Sequence, residues 1–62
     1  MIDKVEIGKT YVNQIRSLAR TVVDIRTHKG NAMVCYKLPS GKTGFSWMSA
    51  FQKWAMSTLE DA

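Results

Sequence analysis

The chain has 62 residues, 45% of them hydrophobic and 23% charged, and a formal net charge of +4. At this length folding buries only about 60% of the surface that the unfolded chain exposes, so a second domain is excluded and the core is thin. One cysteine excludes an intrachain disulfide, Cys35 and His28 are too few ligands for a structural zinc, and no apolar run approaches the ~18–20 residues of a membrane span.

The first predicted element is a strand over residues 9–14, entered through Gly8. Residues 15–19 read as a turn or one helical loop, in a hairpin that brings Tyr11 near Val23. Strands over 20–27 and 32–38 follow, both rich in β-branched or aromatic residues and separated by His28-Lys29-Gly30-Asn31. A fourth strand over 43–48 follows Pro39-Ser40-Gly41-Lys42, where proline and glycine supply turn geometry.

The two turns predict a register. If Thr27 faces Ala32, then Ile25 faces Val34, Val23 faces Tyr36 and Thr21 faces Leu38 on one side, leaving Arg26 with Met33, Asp24 with Cys35 and Val22 with Lys37 on the other. If Leu38 faces Thr43, Phe45 joins Tyr36 and Trp47 joins Val34 on the apolar side. A slip of one residue in either hairpin would exchange the faces. After Met48 the apolar period becomes helical: Ser49 is a candidate N-cap, and Phe51, Trp54, Ala55, Thr58 and Leu59 predict a helix over 50–60. The expected core is Val23, Val34, Tyr36, Phe45, Trp47, Phe51 and Trp54. The expected fold is mainly β (α+β): a small antiparallel meander or SH3-like half-barrel with a C-terminal helix packed over one face.

This order, with Gly8 and Tyr11 leading into Arg20-Thr21-Val22-Val23-Asp24-Ile25, then Val34-Cys35-Tyr36, Ser40-Gly41-Lys42 and a closing Phe51 and Trp54, resembles small phage and prophage-type proteins with an SH3-like barrel. The resemblance spans roughly residues 5–55 and implies an accessory binding role without catalytic residues. Such a barrel closes with a fifth strand, where this chain reads as helix.

Chemistry-bearing motifs are sparse. Gly8-Lys9-Thr10 and Gly41-Lys42-Thr43 lack the earlier glycine that a phosphate-binding loop needs, since Asp3 and Tyr36 stand there. His28 lies at a turn tip away from the one central carboxylate, Asp24, and Cys35 has no histidine placed as its base. No catalytic residue, cofactor or metal site is therefore expected. The acidic amino end, with Asp3 and Glu6, has no export signal's basic-then-apolar plan, and a free cysteine fits a cytoplasmic protein.

Charge is the strongest functional clue. Between positions 7 and 59 stand eight basic residues (Lys9, Arg16, Arg20, Arg26, Lys29, Lys37, Lys42, Lys53) against Asp24 alone. Such a field concentrates anionic partners near the chain. The expected function is non-catalytic binding: nucleic acid gripped through Arg16, Arg20, Arg26, Lys29, Lys37 and Lys42, with an acidic protein surface as the alternative partner. A continuous basic stripe across one sheet face would favour nucleic acid, and an apolar patch rimmed by cations would favour protein. The thin core also predicts a homodimer, through Val22, Met33, Cys35 and Met48 on the face opposite the helix.

Overall fold

Two turns set the centre of the fold in the computed structural model, which describes residues 2, 4–15 and 17–59. Strand β2 (Ala19–His28) and strand β3 (Asn31–Lys37) are joined by Lys29 and Gly30, whose φ angles are 51° and 81°. Two successive left-handed residues are what a two-residue type I′ hairpin requires. The register from that turn is the predicted one: Thr27 pairs with Ala32, Arg26 with Met33, Ile25 with Val34 and Asp24 with Cys35.

Beyond Asp24 a β-bulge at Val23 breaks the alternation, so that Val22 pairs with Tyr36 and Thr21 with Lys37. The extra residue returns every preceding side chain to the opposite face. Val22, expected outside, is fully buried, whereas Val23, expected in the core, is half exposed. Arg20 accordingly lies on the helix side instead of the outer face. At the bulge the Asp24 carboxylate accepts the Ile25 N–H at 2.9 Å, giving that amide a partner where no neighbouring strand reaches it.

The second turn also differs from expectation by one residue. The Gly41 N–H donates to the Leu38 carbonyl at 2.9 Å, and the Leu38 N–H donates to the Lys42 carbonyl at 2.7 Å. With Gly41 at φ 94°, this is a three-residue loop of Pro39, Ser40 and Gly41. Leu38 therefore faces Lys42 rather than Thr43, and strand β4 (Thr43–Trp47) slips by one: Tyr36 pairs with Gly44, Cys35 with Phe45, Val34 with Ser46 and Met33 with Trp47. Phe45 and Trp47 leave the expected core for the outer face, where they are 71% and 47% exposed.

Strand β1 (Thr10–Val12) forms the expected hairpin with β2, but Tyr11 lies opposite Arg20 rather than near Val23. The predicted C-terminal helix is shorter and starts earlier. Helix α1 (Met48–Trp54) begins at an N-cap Trp47 with no side-chain cap bond, so Ser49 is already inside it. Seven residues cannot hold a helix without tertiary contacts. The chain turns extended at Ala55, and strand β5 (Ser57–Thr58) pairs with β1, with the Met56 N–H donating to the Val12 carbonyl at 2.9 Å. The open edge of β1 thus draws in residues that a helical period alone assigns to the helix.

Among the described residues the result is a five-stranded antiparallel sheet in the order β4-β3-β2-β1-β5, with one short helix against its inner face. Val5, Tyr11, Val22, Val34, Phe51 and Ala55 form the core, with Tyr36, Trp54, Ile25 and Met48 partly buried against it. Phe51 is its centre: its ring lies 5.7 Å from Tyr11, 6.0 Å from Tyr36 and 5.4 Å from Trp54, centroid to centroid. The Tyr11 hydroxyl accepts the Glu6 N–H at 2.9 Å and so ties the segment around Val5 to the core.

Candidate functional site

The outer face of β2, β3 and β4 is laid out in rows by the register. Arg26, Met33 and Trp47 form one row, Asp24, Cys35 and Phe45 the next, and Thr21, Lys37 and Thr43 the third. Phe45 and Trp47 are exposed, as is the bulged Val23 beside Asp24, while Met33 and Cys35 are half-buried between the strands. His28, at the end of β2, brings its ring to 6.3 Å from that of Trp47. An apolar, largely aromatic centre therefore stands on a sheet face with no helix over it among the described residues.

Cations stand at the two ends of this centre. Lys37 and Lys42 lie exposed at the β3–β4 turn, and Arg26 and Lys29 lie exposed near the β2–β3 turn. Arg26 is engaged locally: its Nε donates to the Asp24 carboxylate at 2.8 Å, the one ion pair among the described residues. That hydrogen bond, helped by the Ile25 N–H, holds the Asp24 carboxyl below the ordinary carboxylate range and raises the Arg26 guanidinium above its own.

Of the six cations expected to contact phosphate, Arg26 and Lys37 lie in the rows of this face, Lys29 lies at the β2–β3 turn that bounds it, and Lys42 stands beside the β3–β4 turn opposite Leu38, which by alternation is the helix side. Arg16 lies outside the described residues. Arg20 is elsewhere: its guanidinium carbon sits 4.5 Å from the Tyr36 ring centre and 4.2 Å from that of Trp54, on the helix side. Held between two aromatic faces, it gains cation–π attraction and covers the core. Its Nε is buried without a hydrogen-bond partner.

Phe45 and Trp47 are the surface residues that sequence reasoning assigned to the core. The signal that could have placed them outside is the small size of their neighbours. Gly44 and Ser46 alternate with them, and a side chain at position 44 would crowd the Tyr36 ring. A Cβ built on Gly44 would stand 3.0 Å from Tyr36 Cζ and Oη.

An open cavity of about 470 Å³ adjoins the face where β3 begins and α1 starts, lined by Asn31, Ala32, Trp47, Met48, Ser49 and Gln52. No three His, Cys, Asp or Glu side chains converge among the described residues, and no helix there is long and apolar enough to cross a membrane. No protein family, curated protein or solved structure matches the chain.

Proposed function

We propose that this chain is a small non-catalytic binding module that docks an acidic protein surface through the outer face of its sheet. The observation that carries the reading is the pair of exposed aromatics, Phe45 and Trp47, set over Met33 and Cys35 with lysines and arginine at both ends. Aromatic residues exposed on a sheet face are typical anchors of protein interfaces, and the cations steer a partner of opposite charge. Lys29, Lys37 and Lys42 flank an apolar centre instead of forming a stripe, and Arg20 is turned away. Both features weigh against the nucleic-acid reading. The return of β5 to β1 gives the described sheet five strands, the number an SH3-like barrel uses, and this supports an accessory role of the kind the resemblance implies; we assign that role to a phage or prophage setting and to the cytoplasm.

The test is a selection of random displayed peptides on the immobilised full chain. Selected binders should be rich in Asp and Glu together with apolar residues, and should weaken with salt. They should lose about tenfold or more in affinity to Trp47→Ser or Phe45→Ser, a value expected for interface anchors, and keep their affinity for Arg20→Met. Labelled single- and double-stranded DNA and RNA are titrated in parallel, with the fluorescence anisotropy of the label as the readout. Micromolar binding with a log–log salt slope of about −0.7 per phosphate contacted on a single strand would overturn the protein-partner reading and restore nucleic acid.

A further inference from the structure

Strand β4 is an edge of the sheet, and the opposite edge, β5, is only two residues long. In an antiparallel ladder, residues whose N–H and C=O point at the partner alternate with residues whose groups point away. The Leu38 N–H bond to the Lys42 carbonyl marks that pair as hydrogen-bonded. Counting along the register, Gly44 and Ser46 turn their backbone toward β3, while Thr43, Phe45 and Trp47 turn theirs to the open edge. Among the described residues, nothing bonds the N–H groups of these three outside the sheet ladder. The strand also lacks the usual guards of an edge, since Thr43–Trp47 contains no charge, no proline and no bulge. Thr43 and Phe45 thus have both backbone groups open at this edge, whereas Trp47 offers its N–H alone, since its carbonyl accepts the Ser46 hydroxyl at 3.3 Å and begins the helical ladder of α1. The exposed Phe45 and Trp47 side chains stand on this same stretch.

We infer that β4 accepts a further strand: an extended acidic segment of the partner protein, hydrogen-bonded along Thr43, Phe45 and Trp47. Its apolar side chains would lie beside Phe45 and Trp47, and its carboxylates would reach Lys37 and Lys42 at one end and Lys29 at the other. The inference rests on the docking reading above and specifies its geometry. Charge complementarity selects the occupant. A second copy of the chain would bring another net +4 to the same edge, whereas an acidic segment neutralises the cations already there.

The probes are synthetic acetylated heptapeptides with valine or phenylalanine at the three central positions and two glutamates at each end, their lysine counterparts, and acidic versions N-methylated at alternate residues in both phases. Each is titrated into the full chain, with amide hydrogen exchange followed residue by residue. The acidic peptides should bind and the lysine peptides should not. Binding should slow exchange at Thr43, Phe45 and Trp47, and leave Gly44 and Ser46, already paired to β3, little changed. One N-methylation phase should weaken binding by about tenfold, as expected for one or two lost hydrogen bonds. Equal binding of the peptides methylated in either phase overturns strand addition while leaving side-chain docking on the face intact. No binding of any acidic peptide at about 1 mM, the weakest affinity worth the name of recognition, overturns it as well. The displayed-peptide selection then shows whether the docking reading falls with it. Sedimentation velocity supplies the remaining arm: a dimer that the acidic peptides do not dissociate, and that Phe45→Lys abolishes with its thermal melt preserved, assigns the edge to a second copy and overturns the inference.

Discussion

Gly44→Ala is a small change with a large expected effect, because of what lies over this glycine. The added methyl would stand 3.0 Å from Tyr36 Cζ, 3.0 Å from its Oη and 3.1 Å from its Cε1. Ordinary carbon contacts are about 3.5–4.0 Å, so the ring must give by a few tenths of an ångström, and whether it can do so decides the cost. It cannot retreat freely: the Arg20 guanidinium carbon sits 4.5 Å from its centre, and the Phe51 ring centre is 6.0 Å away. Overpacking of this kind costs about 1–3 kcal/mol. Alanine's smaller unfolded-state entropy offsets about 0.4–1 kcal/mol of that. A net loss of about 1–2 kcal/mol, at roughly 4–8 °C per kcal/mol for a domain of this size, lowers Tm by about 4–16 °C. The assay is a thermal melt of the parent, Gly44→Ala, Tyr36→Leu and the double variant. Leucine has no atoms at the clashing positions, so the cycle should show Gly44→Ala costing at least about 1 kcal/mol less in the Tyr36→Leu background. A Gly44→Ala protein that melts with the parent, or a cycle with no coupling, would refute the claim that Tyr36 is held over Gly44.

Phe51→Ala should cost about 3–5 kcal/mol. That is most of the roughly 3–9 kcal/mol available to a chain of this length, so circular dichroism should show it largely unfolded near its parent's Tm. For Arg20, Arg20→Met should change the melt by less than about 1 kcal/mol, because methionine keeps an apolar stem between Tyr36 and Trp54 and removes the unpartnered Nε. Arg20→Ala, which empties the sandwich, should cost about 1–3 kcal/mol by chemical denaturation. Asp24 provides a pH signature. Its folded carboxyl titrates below the ordinary range, first through the Arg26 hydrogen bond and then through the Ile25 N–H. Its contribution is therefore complete above the unfolded carboxylate value and is lost as pH falls through the folded one. The Tm difference between parent and Asp24→Asn should be small, constant across neutral pH, and gone in strong acid; a difference that persists there would show that the carboxylate charge is not its source.

The turns, the order of the first four strands and the mainly β class are local properties, and they were readable in the chain. Lys29-Gly30 dictates a two-residue hairpin by backbone conformation alone, and Pro39 with Gly41 dictates a turn. Val34, Phe51 and Trp54 were rightly assigned to the helix side. The assignment of faces was not readable. Val22 and Val23 are adjacent and equally apolar, so the pattern cannot say which turns inward once a bulge is allowed. The bulge is favoured by burying Val22 and by the bond from the Ile25 N–H to Asp24, and it carries Arg20 to the opposite side. Phe45 and Trp47 read as core for the same kind of reason: a loop of three residues in place of four moves every side chain of β4 across the sheet. Residues 57–58 continue a helical period, yet they pair with β1 because an open strand edge offers backbone partners that the end of a short helix does not. The chain by itself determined which segments turn and which extend. Tertiary structure decided which side of each strand meets water, because strand alternation has a period of two and one inserted residue inverts it, and that inversion placed the two aromatics of the candidate site on the surface.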